Sequence, residues 1–374
     1  MVSMRVPFVN LKKQYSSIKA EVDASIARVL DSGNFILGGE VEAFEKEFAS
    51  YCGAKHAVCV SSGTEALYLS LLAAGVKRGD EVITAANTAV PTATAVLMAG
   101  ATPVFADASE KDFNIDPGLL EKQVTKKTKA IIPVDLYGQC ADLTPVQEIA
   151  EKHSIPVIED ACQAHGALYN SRKAGSLCDF GCFSFYPTKN LGAYGDAGAI
   201  AVNDDVKAEK LRLLRNYGQK SRYEHVSFGV NSRLDEIQAA VLRVKLRKLD
   251  GWNEQRRKLS KTYSEKLGGV VSLPLEMPGR KHVFHLFVVR SKLRNALQEH
   301  LSKAGVATII HYPLPVPMQP YFAQNGFSRG SFAVASKLSG EILSLPIYPE
   351  LSGEEADFVC SSVKSFFDRR GSRS

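Results

Sequence analysis

One lysine stands alone in the segment Cys182-Phe-Ser-Phe-Tyr-Pro-Thr-Lys-Asn-Leu-Gly192, where no other charged residue lies between Asp179 and Asp196. Most lysines are solvated surface residues. Lys189, however, has aromatic and small neighbours and precedes Gly192-Ala-Tyr-Gly-Asp-Ala-Gly198. In such surroundings a lysine loses proton affinity, and its neutral amine is the form that condenses with an aldehyde. Two other segments carry complementary chemistry. Ser61-Ser62-Gly63-Thr64-Glu65 follows a short apolar run and opens a helix. Ser62 and Glu65 have capping-box spacing. The same turn aims free amides and the helix dipole at an anion, with Gly63 permitting close approach and Thr64 adding a hydroxyl. Glu159-Asp160-Ala-Cys-Gln-Ala-His165 closes another apolar run. Asp160 is a good helix N-cap. It is also a carboxylate that burial would penalise unless a cation, such as a protonated ring nitrogen, faces it. Gln163 follows about one turn later.

An anion site, a carboxylate and an amine nucleophile, each following a strand, are what an electron-sink cofactor with a phosphate, a pyridine nitrogen and an aldehyde requires. The elements that must position them alternate along the chain. Helices are expected over 13–31 and 40–51, then strands at 57–60, 81–85, 102–106, 130–134 and 155–158, with helices at 62–74, 92–99 and 145–153 between them. A further strand at 199–202 and a basic helix at 206–216 follow. The spacing next predicts one long helix over 235–267, bent near Gly251. Strands alternating with helices imply a mostly parallel sheet covered on both faces, with ligands bound beyond the carboxyl ends of its strands. The Gly- and Pro-containing stretch 268–281 reads as passage into a smaller α+β unit with a strand at 283–289, a helix at 294–304 and a Pro-rich loop at 313–320.

The motifs Ser-Gly-Thr-Glu-Ala (62–66), Glu-Asp-Ala-x-Gln-Ala-His-Gly (159–166) and Ser-Phe-x-Pro-Thr-Lys-Asn-Leu-Gly (184–192) resemble the pyridoxal-phosphate-dependent sugar aminotransferases of the DegT/DnrJ/EryC1/StrS family. The resemblance runs from about Val6 to about Pro349. It implies the α/β fold type I architecture, with a large mostly parallel sheet domain over 1–250 and a small C-terminal α+β domain over 251–374. It also implies pyridoxal 5'-phosphate as cofactor. Lys189 matches the Schiff-base lysine and Asp160 the partner of the pyridinium nitrogen. Gln163 matches the residue near the ring hydroxyl, and Gly63, Thr64 and Ser184 match phosphate ligands. Asn231 matches an asparagine that reaches the phosphate in the neighbouring subunit, so the resemblance implies a homodimer with shared active sites. Around the substrate it places Tyr186, His311 and Tyr312, with Lys220 and Arg222, from the partner subunit, as diphosphate contacts. As half-buried aromatics, Tyr186, His311 and Tyr312 could equally be structural.

Many family members carry an aromatic ring where this chain has Ala89, so ring stacking there is not expected. The small residue, together with Tyr217-Gly218, Arg222-Tyr223, His225, Asn231-Ser-Arg-Leu-Asp-Glu236 and Ile310-His311-Tyr312-Pro313, is similar to the subgroup acting on dTDP-3-keto-6-deoxyhexoses. The resemblance therefore implies transfer from glutamate to carbon 3 of such a sugar, with a 4-keto sugar as the nearest rival. A non-catalytic regulator on the same fold is a further alternative, against which the intact Lys189 counts. Sugar dehydratases of this family replace the lysine with histidine, which this chain does not.

Composition bounds these readings. With 374 residues, 45% hydrophobic and 23% charged, the chain is an ordinary globular protein with room for two units. Forty-six basic residues against forty acidic ones argue for no nucleic-acid partner. Between Lys207 and Lys261 the balance is fifteen to six, a basic region that would draw a nucleotide diphosphate, although much of it is solvated helix face. No DNA-reading motif accompanies it. Seven cysteines, an odd number without metal-ligand spacing, read as reduced thiols of a cytoplasmic protein and not as a disulfide or zinc framework. The N-terminus has no signal-peptide core. The uncharged run Val82–Ala106 contains Pro91, Gly100 and Pro103 and is no membrane span.

Overall fold

The computed structural model describes residues 4–328 and 330–371. Seven strands build the main sheet: β1 (His56–Val60), β2 (Glu81–Ala85), β3 (Thr102–Ala106), β4 (Thr128–Ile132), β5 (Ile158–Asp160), β6 (Phe180–Ser184) and β7 (Gly198–Val202). Two ladders, β3-β2-β4 and β5-β6-β7-β1, join through the parallel bridges Ile131–Val157 and Val134–Asp160. All neighbours run parallel except β7, which is antiparallel to both β6 and β1. The carboxyl ends of β1, β2, β4, β5 and β6 therefore share one edge, and β7 begins there.

Period-two alternation drives the burial, and both faces are apolar. Val58, Val60, Phe180, Cys182, Ile200 and Val202 pack on one side with Leu67 and Leu69 of α3 (Gly63–Ala73). Cys59, Phe183, Ala199 and Ala201 pack on the other with Phe44 and Phe48 of α2 (Gly39–Cys52). There the Phe48 ring meets Phe183 edge-on at 4.9 Å and Phe185 at 5.1 Å. Strands buried on both faces in this way belong to a covered sheet. Helix α1 (Leu11–Ser32) lays Ile18 and Val22 against Val241 and Val244.

The helix expected over 235–267 is two helices, α4 (Glu236–Leu246) and α5 (Leu249–Leu267), which break at Arg247-Lys248 and not at Gly251. No glycine or proline marks the break. The two halves serve different cores: Val241 and Val244 of the first pack on α1, whereas Tyr263 and Leu267 of the second join Phe287, Leu297, Leu343 and Val359. That last cluster surrounds an antiparallel pair, β8 (Phe287–Arg290) with β9 (Ile342–Leu345), and two helices, α6 (Arg294–Ala304) and α7 (Gly353–Gly371). The strand expected over 283–289 begins four residues later, because Val283 and Leu286 instead bond backbone to backbone with Gly138 and Tyr137. No helix among the described residues is long and apolar enough to cross a membrane.

Candidate active site

At the carboxyl edge of the sheet lies a cavity of about 440 Å³. Its walls include Gly63, Thr64, Asp160, Gln163, Ser184, Tyr186, Lys189 and Tyr312, eight of the residues singled out in the sequence. They come from the ends of β1, β5 and β6 and from the C-terminal unit, so strand order converts 250 residues of chain separation into one wall.

The β1–α3 turn supplies the anion end. Ser62 caps the helix, its hydroxyl accepting the Glu65 amide at 3.2 Å. Burial raises the Glu65 carboxyl, with Ser232 opposing the shift. The turn is cramped: a Cβ on Gly63 would lie 2.6 Å from Ser184 Cβ and 2.9 Å from Cys162 Sγ. Glycine is thus required by close approach of two strand ends, which leaves the Gly63 amide bare beside Ser184. Gly63→Ala should destabilise the protein by about 1–3 kcal/mol through overpacking. It should also weaken phosphate-dependent cofactor retention, and thermal melts with and without added cofactor would read both effects.

Asp160 ends β5, 4% exposed. Its Oδ2 accepts from Thr92 Oγ1 at 2.8 Å and its Oδ1 from the Cys162 amide at 3.2 Å. Thr92 in turn contacts the Thr88 hydroxyl at 3.0 Å. A carboxylate so held has fixed direction but, among the described residues, no ion-pair partner, and it lines the cavity. Gln163 is oriented from both ends. Its Oε1 accepts the Tyr137 amide at 2.8 Å and its Nε2 donates to the Tyr312 hydroxyl at 3.3 Å. Burial pushes the Tyr312 hydroxyl up to about 12, so it stays protonated.

Lys189 sits on a turn tied by its own amide to the Tyr186 carbonyl at 2.9 Å. Its neighbour Asn190 is buried and donates to Asn253 Oδ1 at 2.8 Å and to the Val283 carbonyl at 3.0 Å. Burial lowers the pKa of the Lys189 amine, opposed by the nearby Cys162 and Asp160. Among the described residues no hydrogen bond or ion pair holds Nζ. A half-buried, unpartnered amine opposite a buried carboxylate, with a bare amide turn at the far end, fits pyridoxal phosphate in each of its three polar parts.

The other candidates lie outside this wall. His311 is set behind Tyr312; its Nδ1 meets Ser344 Oγ at 2.9 Å and its carbonyl accepts from Tyr137. Burial lowers its pKa to about 4. Lys220 lies within the exposed short strand Gln219–Ser221 and Arg222 on the turn from it to Glu224–His225, and Asn231 is exposed with its backbone bridged to Asn216. None of the three lines the cavity of its own chain. Sequence reasoning missed Thr88, Thr92, Cys162 and Asp196, which do. Asp196 had a signal, as the charge that closes the uncharged stretch around Lys189. Ala89 lines the cavity as a small residue, as expected.

Two buried histidines near this core carry a pH signature. His165 packs against Phe183 and Phe185 at 5.3 and 5.6 Å, and His282 stacks on Phe284 at 4.1 Å. Burial lowers both to about 3. Unfolding restores the ordinary value near 6.5, so between these limits the unfolded chain binds more protons and stability falls as pH falls. Going from pH 7 to pH 5 should cost about 2 kcal/mol per histidine. Urea unfolding at both pH values measures it; because burial also lowers His285 and His311, His282→Gln should remove roughly a quarter of the histidine-linked slope.

Residues 16–364 match the model of the DegT/DnrJ/EryC1/StrS aminotransferase family. A pleiotropic regulatory protein of Geobacillus stearothermophilus is 47% identical over 97% of this chain and 99% of its own. The dTDP-3-amino-3,4,6-trideoxy-alpha-D-glucose transaminase of Streptomyces venezuelae is 46% identical over 98% and 97%. NtdA from Bacillus subtilis, solved with bound cofactor PMP, superposes with a TM-score of 0.93 at 32% identity, covering 98% of this chain and 86% of that one. The lysine, the carboxylate and the bare amide turn thus stand on a fold shared with a cofactor-bound relative, and the chain belongs to the DegT/DnrJ/EryC1/StrS aminotransferase family.

Proposed function

We propose that this chain is a pyridoxal-phosphate-dependent aminotransferase that moves an amino group from glutamate to carbon 3 of a dTDP-linked 3-keto-6-deoxyhexose. The observation that carries the reading is the pairing of Lys189 and Asp160 across one cavity. When bound, pyridoxal phosphate supplies an aldehyde and an electron-accepting pyridinium ring. Burial, which lowers the proton affinity of the Lys189 amine, favours the neutral form that would hold the cofactor as nucleophile. With the cofactor bound, Lys189 Nζ would be the group placed to take up and return a proton, as base and then as acid. Asp160, fixed by Thr92 and the Cys162 amide, keeps a proton on the ring nitrogen. Gly63, Thr64 and Ser184 would hold the phosphate, and Gln163, bonded to Tyr312, would meet the ring hydroxyl. Tyr186, 53% exposed at the cavity mouth, faces the sugar side, and His311 backs Tyr312 from behind the wall, its ring centroid 5.6 Å from that of Tyr312.

The carbon-3 assignment is supported by the name of the Streptomyces relative and by the small residue at Ala89, which leaves space over the ring. A 4-keto sugar is the alternative. Two exposed features support a homodimer: Asn231, and the strand pair bearing Lys220 and Arg222 with Tyr223 82% and Phe228 65% exposed nearby. A partner covering them would bring the three polar side chains to its own cavity. Seven free cysteines support a cytoplasmic location. We place the boundary of the two units at about residue 250, close to the Arg247-Lys248 break. The name of the Geobacillus relative suggests a regulator, but a regulator has no need of an unpartnered amine. The deciding experiment incubates the cofactor-loaded protein with glutamate and then with a panel of nucleotide-linked keto sugars, and locates the new amine by NMR. Release of 2-oxoglutarate with amination at carbon 3 supports the reading, amination at carbon 4 selects the alternative, and no 2-oxoglutarate contradicts it.

A further inference from the structure

Directly behind Asp160 lies a pair of carboxyl groups with no role so far. Asp135 follows β4 and Glu159 is within β5; both are 0% exposed. Each has one oxygen satisfied by backbone. Asp135 Oδ1 accepts the Ala141 amide at 2.9 Å, and Glu159 Oε1 accepts the Gly175 amide at 2.8 Å. Each also has one oxygen, Asp135 Oδ2 and Glu159 Oε2, with no donor. Carboxylate oxygens of the two residues lie within 4.8 Å of each other and of Cys140 Sγ. Two ionised carboxylates so close, without a cation, would repel in a low-dielectric core. Orphaned buried acceptors are costly one at a time. Here they come as a pair, and a single proton between them satisfies both.

We propose that Asp135 and Glu159 share one proton, and that this pair is a positioning device for Asp160. The connection to Asp160 is short and made of backbone. The Asp135 amide donates to the Asp160 carbonyl at 3.0 Å, the Asp160 amide donates to Pro133 at 2.9 Å, and Glu159 precedes Asp160 in the strand. Pulling Asp135 and Glu159 together draws the ends of β4 and β5 together where their ladder is reduced to single bridges. The shared proton also limits the charge beside Asp160 to one unit instead of two. The surrounding groups favour this state. Burial raises both carboxyl groups, Glu159 to about 7; Glu159 and Asp160 raise Asp135 further, whereas the Gly175 amide, Asp135, the Leu177 amide and Arg172 hold Glu159 down against its burial. Asp135 therefore carries the proton. Burial, and then the neighbouring Asp135 and Glu159 carboxyl groups, raise the Cys140 thiol, which favours its protonated form.

The role of the pair rests on the reading of Asp160 given above, but the shared proton does not, and the test separates them. In holoenzyme at pH 7, infrared difference spectra of wild type minus Asp135→Asn should contain a carboxylic-acid carbonyl band that shifts in heavy water. Asparagine can still donate to Glu159. Asp135→Asn should therefore retain cofactor affinity within about threefold, while Asp135→Ala, which orphans Glu159, loses about tenfold or more. Rescue by asparagine is the result a loosely structural aspartate would not give. Absence of the acid band overturns the shared proton, as does a stoichiometric metal, measured by elemental analysis, that Glu159→Gln releases. A persistent band with equal affinity in the Ala and Asn variants overturns the positioning role. A persistent band with Asp160→Asn indistinguishable from wild type would instead overturn the reading of Asp160.

Discussion

Lys189→Ala abolishes amino transfer, with a loss of about 10⁴-fold or more in kcat, because one side chain serves both as nucleophile and as proton carrier. The fold should survive. The turn around it is held by the Tyr186 carbonyl and by Asn190, and Nζ itself makes no hydrogen bond or ion pair among the described residues. Removing a partly desolvated amine without partners takes away no stabilising contact of consequence. The melting temperature should therefore stay close to that of the wild-type apoprotein while turnover with glutamate vanishes. Single-turnover formation of 2-oxoglutarate, followed alongside a thermal melt, separates loss of chemistry from loss of structure. Undiminished turnover would remove Lys189 from the reaction.

Asp160→Asn should lower kcat by about 10²–10³-fold while leaving the protein folded. Asparagine is nearly isosteric. Its carbonyl oxygen can still accept the Thr92 hydroxyl, which now meets Oδ2 at 2.8 Å. What changes is charge. The ring nitrogen loses the anion that keeps it protonated, so electron withdrawal falls in the step that Lys189 catalyses. The loss should therefore appear in kcat more than in the apparent affinity for the sugar substrate. Thr92→Val offers a graded version, since it deletes one donor to Asp160 and keeps the carboxylate.

How far the sequence discloses this arrangement differs from residue to residue, for physical reasons. Lys189 is legible because it is the single charge in an apolar stretch, an anomaly that needs no structure to see. Strands 81–85 and 102–106 are legible to the residue because their ends coincide with the onset of turn and helix signals. The antiparallel sense of β7 is not, because direction depends on the topology of the return segment and leaves no mark on an apolar pentapeptide. The break at Arg247-Lys248 is equally silent. Both sides keep helical periodicity, and only the existence of two separate cores splits them. Thr88 and Thr92 escape notice for a third reason: Thr92 meets Asp160, some seventy residues away in the chain, and Thr88 meets Thr92, and a threonine near a helix start has an ordinary local explanation. The substrate-side residues divide the same way. Tyr312 reaches the cavity through the C-terminal unit, whereas Lys220, Arg222 and Asn231 do not line the cavity of their own chain, where one sequence alone gives no geometry.

The central claim is that the Lys189 amine is the covalent anchor of the cofactor in the resting protein. Loading the purified protein with pyridoxal phosphate, reducing it with borohydride and mapping the modified peptide by mass spectrometry tests that claim directly. The account predicts one reduced pyridoxyl-phosphate adduct per chain, on the peptide containing Lys189. An adduct confined to other lysines, or none after loading at saturating cofactor, would contradict it.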